Sequence, residues 1–335
     1  MKKFSPFKLI VVLSLILTSC SSTVAAPSYA AQVNGQTISR SALYQELSDM
    51  KNNKAYVSHL QSMKVIISGI GKKSYNNGFV AQVLTREIYW SLISQYLKTH
   101  HIAVTSQDKT KAVGQVTSQV GNAAIFHAFP VSYQQTLVNN EANLLALENY
   151  VSSVSKTQAS TYYSQHQAMF ANSCVRHILV KTKSKALQLR KQILSGAHFS
   201  AVAKANSIDT GSAKLGGSLG CKAGPQYVTP FQKAVDHLPV NKISQPVHSQ
   251  FGWHLIEVTK RTPQSLAQSM SKVISYLKSQ KANKFSSFLK ASKIKVNPRF
   301  GKFVNSPPNS FGVVPPKTPT SSQAPSSSGS SSSAG

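Results

Sequence analysis

Apolar residues recur every three or four positions through much of the first half of the chain. In the stretch FVAQVLTREIYWSLISQYLKTHH they fall at Val80, Val83, Leu84, Ile88, Leu92, Ile93 and Leu97. This spacing places them on one face of an α-helix, and SYQQTLVNNEANLLALENYVSSV repeats it. Residues 31–171 are therefore predicted to form a mostly helical module, either an ordinary bundle or a cradle for another polypeptide.

The start of this module follows a different pattern. The segment QVNGQTIS places Asn34 and Gly35, a favoured turn pair, between two short extended pieces, which predicts a hairpin. Ser39 stands directly before a helical pattern that carries Leu43 and Leu47, so its hydroxyl is expected to cap that helix.

The pattern changes again after residue 171. CVRHILVKT is a β-branched run typical of a strand, and KALQLRKQILSG is a helical segment that Ser184 is expected to cap and Gly196 to end. A short helix, a polar loop, the helix-like TPFQKAVDHL and the strand-like GWHLIEVTK follow. This order predicts a small α+β domain with a mostly antiparallel sheet over residues 172–261.

The segment after this domain is again helical. Thr262 and Pro263 are suited to cap and open a long helix with one apolar stripe, and IKVNPRFGKF is expected to follow in extended form, which completes residues 262–304. From Asn305 onward the chain is rich in Pro, Ser and Gly and has few large apolar residues. Residues 305–335 are therefore predicted to be a disordered tail.

The N-terminus has the layout of a targeting segment. Lys2, Lys3 and Lys8 provide positive charge around the start of LIVVLSLIL, an apolar run that is too short to span a bilayer but suits a signal peptide. Residues 1–19 are therefore predicted to be a signal peptide that takes no part in the fold.

The signal peptide ends in LTSC, which resembles the lipobox of bacterial lipoproteins. Cys20 is then expected to be acylated and to hold the protein on the extracytoplasmic face of a bacterial membrane, with residues 20–30 as a linker. An ordinary secretory signal cut near Ala30 and Ala31 is the alternative. In either case the protein is exported.

The charge balance is the unusual feature of the composition. The chain has 335 residues, 41% of them hydrophobic, and its 37 Lys and Arg against 9 Asp and Glu give a net charge of +28. Such a surface attracts polyanions, but the sequence has no zinc-finger or helix-turn-helix spacing, so nucleic acid is not expected as a partner. Anionic lipid and anionic cell-wall polymers fit an exported protein better, and an acid-poor surface suited to an acidic exterior is the other interpretation.

Three cysteines are present. If Cys20 carries lipid, Cys174 and Cys221 are left in an oxidising compartment, where a disulfide is the natural expectation and two separate buried thiols are the alternative. A zinc site that combined these cysteines with His177 and His254 would lack the usual CxxC or HxxxH spacing, so no metal is expected.

The predicted α+β domain contains the segments RHILV, GAHFSAVAKANSIDTGSAKLGGSLG, YVTPFQKAV and ISQPVHSQFGWHLIEV, in this order. Together these segments resemble the parvulin family of peptidyl-prolyl cis-trans isomerases. The layout of the chain is similar to extracytoplasmic foldases of the SurA and PrsA type. The resemblance implies an α+β fold in which a parvulin domain is inserted between a helical N-terminal chaperone module and a C-terminal helix that packs back onto that module.

The resemblance also assigns residues to roles. It implies catalytic roles for His177, Asp209 and His254, and a proline pocket formed by Leu219, Tyr227, Phe231 and Phe251. His198, His237 and His248 match no family position and are expected at the surface. The chain departs from the family in reading GGSLG, with Ser218 where an acid is usual, and in carrying Tyr227 where methionine is common.

The implied function is catalysis of X-Pro amide rotation, without a covalent intermediate or a cofactor, combined with chaperone action on exported proteins. Unfolded or partly folded exported polypeptides that contain X-Pro bonds are the expected partners, and the lipid anchor is the expected link to the membrane. The alternative function is a holdase or cell-wall-associated binding lipoprotein whose parvulin domain acts only as a peptide clamp.

Overall fold

The computed structural model of the chain describes residues 28–69, 74–306 and 310–316. The predicted signal peptide, Cys20 and residues 317–335 of the predicted tail lie outside the described residues. Among the helices of the described part, none combines the length and the apolar character needed to cross a membrane.

The N-terminal region is a hairpin followed by helices. Its elements are β1 (Tyr29–Val33), β2 (Gln36–Ser39), α1 (Arg40–Asn52), α2 (Lys54–Ser62), α3 (Asn77–Thr99), α4 (Ser106–Gln119), α5 (Ala123–His127), α6 (Val131–Ser152), α7 (Lys156–Gln165) and α8 (Gln167–Phe170). The hairpin turns at Asn34 and Gly35, whose φ angles are 50° and 87°. Ser39 Oγ accepts a 3.0 Å hydrogen bond from the backbone N–H of Ala42, which confirms the predicted cap of α1.

The second region alternates strands with helices, and the third consists of one long helix followed by short strands. The second contains β3 (Asn172–Val180), α9 (Lys183–Leu194), α10 (Phe199–Asn206), α11 (Thr210–Ala213), β4 (Ser218–Ala223), α12 (Thr229–His237), β5 (Val247–Ser249) and β6 (Gly252–Thr262). The third contains α13 (Leu266–Ala291), β7 (Ile294–Val296), a 3-10 turn (Pro298–Phe300), β8 (Lys302–Ser306) and β9 (Ser310–Val314).

The third region closes onto the N-terminal helices. Strand β7 pairs antiparallel with β1, which gives a small sheet in the order β2-β1-β7. On α13, the rings of Phe285 and Phe288 lie 5.0 and 5.3 Å from the ring of Tyr96 on α3, whose side chain is fully buried. The C-terminal helix therefore packs against the N-terminal module, and the α+β prediction, with the small domain between two helical regions, is confirmed.

The sheet of the second region is antiparallel, with strand order β4-β3-β6-β5. Its central strands are covered on both faces. Ile178 and Leu255 pack with α9 and α10 on one face, and Val175 and Ile256 pack with Phe231 of α12 on the other. This burial makes residues 254–258 of β6 a continuous buried run instead of an alternating one.

Two predicted helix caps are wrong. Helix α9 is capped by Thr182, whose side chain accepts from the N–H of Lys185, so Ser184 lies inside the first turn. Strand β6 runs on to Thr262, and α13 starts behind a reciprocal capping box between Ser265 and Gln268. Thr262 therefore pairs with Asn172 in the sheet instead of capping a helix.

The predicted limits of the linker and tail are also wrong in the described part. Strand β1 begins at Tyr29, inside the predicted linker 20–30. Strand β9, which lies beyond Asn305, pairs antiparallel with β8, and its Val313 is only 8% exposed and donates its N–H to Thr85 Oγ1 over 2.8 Å. The apolar FGVV stretch packs against the N-terminal core, and this tertiary contact outweighs the Pro/Ser-rich composition around it.

Candidate active site

Two adjacent strands bring His177 and His254 together. His177 lies on β3 and His254 on β6, two positions apart in the antiparallel register, since His254 pairs with Leu179. Their Nδ1 atoms are 3.2 Å apart, and the two residues are 5% and 3% exposed. Two buried imidazoles at this distance form a hydrogen bond only if one Nδ1 carries a proton and the other does not.

Asp209 approaches the other side of His177. It caps the single-turn helix α11, and its Oδ2 lies 2.7 Å from His177 Nε2. Ser212 Oγ donates to the same carboxylate oxygen over 2.6 Å. The carboxylate is still one-third exposed, so it faces both the buried histidine and the solvent.

The carboxylate fixes the tautomers along the pair. Because an ionised carboxylate only accepts, Nε2 of His177 carries a proton and donates to Asp209. The Nδ1 of a neutral His177 is then an acceptor, so Nδ1 of His254 must donate to it. His254 Nε2 is left as an acceptor, and Ser249 Oγ donates to it over 2.7 Å.

The chain of hydrogen bonds ends on the backbone. The N–H of Phe251 donates to Ser249 Oγ over 3.1 Å. Each link from Phe251 through Ser249, His254 and His177 to Asp209 therefore has one donor and one acceptor, and the polarity of the whole chain is set by Asp209.

The pKa shifts agree with neutral imidazoles. Burial lowers the pKa of His254 to about 4, and neighbouring His177 acts in the same direction. Burial also lowers the pKa of His177, although Asp209 opposes it. The pKa of Asp209 is lowered by the hydrogen bond from Ser212 and further by His177, so the carboxylate is ionised at neutral pH.

The GGSLG turn packs directly on the backbone of His177. Gly217 has a φ of +84°, and its carbonyl accepts from the N–H of His177 over 2.8 Å. A Cβ at Gly217 would lie closer than 3.0 Å to the carbonyl oxygen of His177. Only glycine fits both the conformation and the contact, so this position helps to fix His177 in place.

An open cleft of about 500 Å³ lies over the histidine pair. Its lining includes all seven residues that the family resemblance assigns to the site: His177, Asp209, Leu219, Tyr227, Phe231, Phe251 and His254. Phe231 is 3% exposed and meets the His254 ring edge-on at 5.1 Å, whereas Phe251 is 58% exposed at the rim. The cleft is therefore apolar on one side of the histidines and acidic on the other.

The structure joins Cys174 and Cys221 in a disulfide. The two residues are directly opposed on β3 and β4, three positions before His177 and two after Leu219. His198, His237 and His248 are exposed, as expected. Within the described ranges no three His, Cys, Asp or Glu side chains are grouped so that they could hold a metal ion.

Sequence reasoning missed two serines of the site. Ser212 stands three residues after Asp209, which is the spacing between a capping residue and the helix N–H that it accepts from. This spacing could have indicated that Ser212 lies next to Asp209. Ser249 lies on the three-residue strand β5 and reaches His254 only because β5 and β6 form a hairpin. Its role depends on a strand pairing that the sequence pattern does not predict.

Comparison with known proteins places this site in a family. Residues 177–260 match the Rotamase family, described as the PPIC-type PPIase domain. The foldase protein PrsA of Caldanaerobacter subterraneus subsp. tengcongensis is 27% identical over 312 residues, which cover 89% of this chain and 97% of that protein. The PrsA of Clostridium botulinum strain Langeland is 32% identical over 182 residues, 48% of this chain and 54% of the relative.

A SurA chaperone and a solved PrsA structure are also similar to the chain. The chaperone SurA of Methylococcus capsulatus is 39% identical over 108 residues, 30% of this chain and 24% of that protein. The crystal structure of PrsA from Bacillus anthracis is 23% identical with a TM-score of 0.40, and covers 62% of this chain and 95% of the other. With the PPIC-type domain match, the relatives identify the chain as a parvulin-type peptidyl-prolyl isomerase of the PrsA/SurA-like foldases.

Proposed function

We propose that the cleft over His177 and His254 catalyses cis-trans rotation of X-Pro bonds, with His177, Asp209 and His254 as the catalytic residues. The observation that carries this proposal is the unbroken hydrogen-bond chain from Phe251 to Asp209, set beside the apolar wall of Leu219, Tyr227 and Phe231.

The reaction needs no bond to be broken. Rotation about an amide has a barrier of about 18–20 kcal/mol because resonance is lost in the perpendicular state, whereas the two end states of an X-Pro bond differ by about 0.5–1 kcal/mol. A catalyst therefore has to bind the twisted amide more tightly than either planar form. In that state the carbonyl resembles a ketone and the nitrogen is pyramidal.

The cleft residues divide this task. The apolar wall holds the prolyl ring out of water, and the exposed ring of Phe251 stands at the rim of the cleft. The neutral histidine pair presents a polar surface whose proton positions do not change during rotation. Asp209 keeps that arrangement fixed and supplies a negative charge next to the twisting amide.

We extend the proposal to client binding by the helical part of the chain. Residues 31–171 together with α13 would hold unfolded exported polypeptides while the cleft accelerates a slow folding step. Support comes from the packing of α13 on α3, which joins the two regions into one module.

The membrane location is proposed from Cys20 and from surface charge. An acylated Cys20 would anchor the protein on the extracytoplasmic face, and the basic surface would add attraction to anionic lipid or cell-wall polymer. The acids support this: Glu46, Asp49, Asp108, Glu141 and Glu257 are buried, three more are half-buried, and Glu148 is exposed. The charged groups that are fully exposed to solvent are therefore almost all cationic.

An assay with X-Pro peptides tests the enzyme function. The wild type is compared with His254→Ala and Asp209→Ala, and both variants are expected to lose most of the catalysed rate. A wild type without measurable isomerase activity would remove the enzyme proposal. Suppression of aggregation of an unfolded client, measured on the same variants, then decides whether holding clients is independent of the cleft.

A further inference from the structure

Lys222 of β4 lies in the wall of the cleft, although the family resemblance gives it no role. Its ammonium group is 5.9 Å from the centre of the Tyr227 ring, on the proline-pocket side. Among the described residues that line the cleft, it is the one Lys or Arg. The side chain is exposed, so its charge is available to a bound peptide.

A bulge in β4 directs Lys222 into the cleft. Cys174 faces Cys221 and Arg176 faces Ser218, so three steps along β4 match two steps along β3. Gly220 takes up the extra residue with a φ of +75°. Leu219 and Lys222, three positions apart, would point to opposite faces of a regular strand, but the bulge lets both line the cleft.

The charge of Lys222 is not neutralised by the protein. The ion pairs within 4.0 Å in the described part of the chain involve Glu46, Glu257 and Asp209, and none of them includes Lys222. Asp209, the acid of the same cleft, is held by His177 and Ser212. Within the described residues, an ammonium group that makes no ion pair therefore stands beside the apolar pocket that would hold the prolyl ring.

We propose that Lys222 is a specificity residue that favours peptides with a carboxylate side chain close to the proline. This inference rests on the proposed isomerase function. A single ammonium group matches the single charge of Asp or Glu, whereas recognition of a phosphoryl dianion usually employs an Arg fork or several cations. The contact between the ammonium group and the neighbouring Tyr227 ring places the charge next to the pocket.

The test compares tetrapeptide substrates that differ by one atom group. Glu and its neutral isostere Gln are placed in turn at each of the two positions before the proline and at the position after it, and kcat/KM is measured for every peptide. For an ion pair that is partly exposed, the Glu/Gln ratio in the wild type is expected to be roughly two- to fivefold at one position. It should fall towards one as potassium chloride is raised to about 0.5 M.

Three variants isolate the charge of Lys222. Lys222→Met should bring the ratio to about one, and Lys222→Glu should invert it. The matched control is Lys260→Met, which removes an exposed strand lysine outside the cleft and should keep both the ratio and the activity of the wild type. The ratio is internal to each variant, so a general loss of activity does not obscure it.

The outcomes separate this inference from the isomerase function. A wild type that is active on all peptides with a ratio of one at every position overturns the role of Lys222 and leaves the isomerase function intact. A ratio that persists in Lys222→Met also overturns it. A phosphoserine peptide turned over more than tenfold faster than the Glu peptide would overturn the carboxylate preference. No activity on any peptide would remove the function itself.

Discussion

His177 and His254 face each other through their Nδ1 atoms over 3.2 Å, and one proton has to serve both nitrogens. If His177 gained a second proton, on Nδ1, two N–H groups would point at each other in a buried site, whereas the free nitrogen of His254, Nε2, faces Ser249 Oγ. The contact therefore favours the neutral form of His177, and burial favours the neutral form of both rings. This relation makes the pH dependence of the site testable.

The first prediction is an activity profile shifted to low pH. A surface histidine titrates near 6.5, but burial lowers the pKa of His254 to about 4 and lowers that of His177 as well. We expect kcat/KM to stay constant from pH 8 to about 5 and to fall below that as the pair is protonated. A rate that halves near pH 6.5 on a folded protein would contradict the neutral pair.

The second prediction concerns a buried acid cluster in the N-terminal module. Glu46 pairs with Arg86 over 2.6 Å and is only 8% exposed. Burial, and then the charge of Glu46, raise the pKa of Glu87 to about 8. A carboxyl with a raised folded pKa binds its proton more tightly when folded, so stability from Glu87 is present at low pH and is lost as the pH rises towards 8.

Replacing Glu87 by Gln, which resembles the protonated acid, tests this sign. From pH 6 to pH 9 the wild type is expected to lose about 2–3 kcal/mol of unfolding free energy more than Glu87→Gln does. Urea unfolding at pH 6 and at pH 9, with the loss of helix as the signal, measures the unfolding free energy of both proteins. Equal losses in both proteins would show that Glu87 is ionised at neutral pH.

The third prediction separates the charge of Asp209 from its cap. Asp209 caps α11, and Asn is an equally good cap whereas Ala is not. Both Asp209→Asn and Asp209→Ala remove the carboxylate that sets the tautomer of His177, so each should lower kcat/KM by about a hundredfold. Their unfolding free energies should differ from the wild type by about 1 kcal/mol or less. Full activity of Asp209→Asn would show that the charge is dispensable.

The sequence predicts the residues that meet in the cleft better than the bonds that organise them. His177, Asp209 and His254 are identified by matching sequence motifs, and the structure brings them within hydrogen-bond distance. Ser249 is not identified, because its contact with His254 depends on a hairpin whose first strand has only three residues. Lys222 is hidden for a similar reason, since a bulge reverses the alternation of β4.

Element boundaries fail where tertiary contacts override local preference. Thr262 and Pro263 have the composition of a helix start, yet pairing with β3 extends β6 through Thr262. Phe311 and Val313 lie in a Pro/Ser-rich stretch but are packed on the N-terminal core. Composition measures whether a segment can bury enough apolar area by itself, and it cannot detect a groove that another module supplies.

The fourth prediction is that the disulfide stabilises the wall of the cleft. The Cys174 to Cys221 bond closes a loop with a sequence separation of 47, for which chain entropy gives about 4 kcal/mol. The double variant Cys174→Ser/Cys221→Ser should therefore unfold at a lower urea concentration than the oxidised wild type. A reductant should lower the wild type to the level of the variant and leave the variant unchanged. No effect of reductant on a protein shown by mass to be oxidised would contradict this role.

The fifth prediction tests whether the backbone contact of Gly217 positions His177. Gly217→Ala places a methyl group against the carbonyl of His177, whereas Gly196→Ala, at a φ of +105°, meets no atom within 4 Å. The control therefore reports the cost of a left-handed backbone alone, about 1–2 kcal/mol. We expect Gly217→Ala to cost about 1–3 kcal/mol more than the control, and to lower kcat/KM at least tenfold under conditions where both variants are fully folded. If the two variants were equally stable and equally active, the contact between Gly217 and His177 would have no part in holding the imidazole.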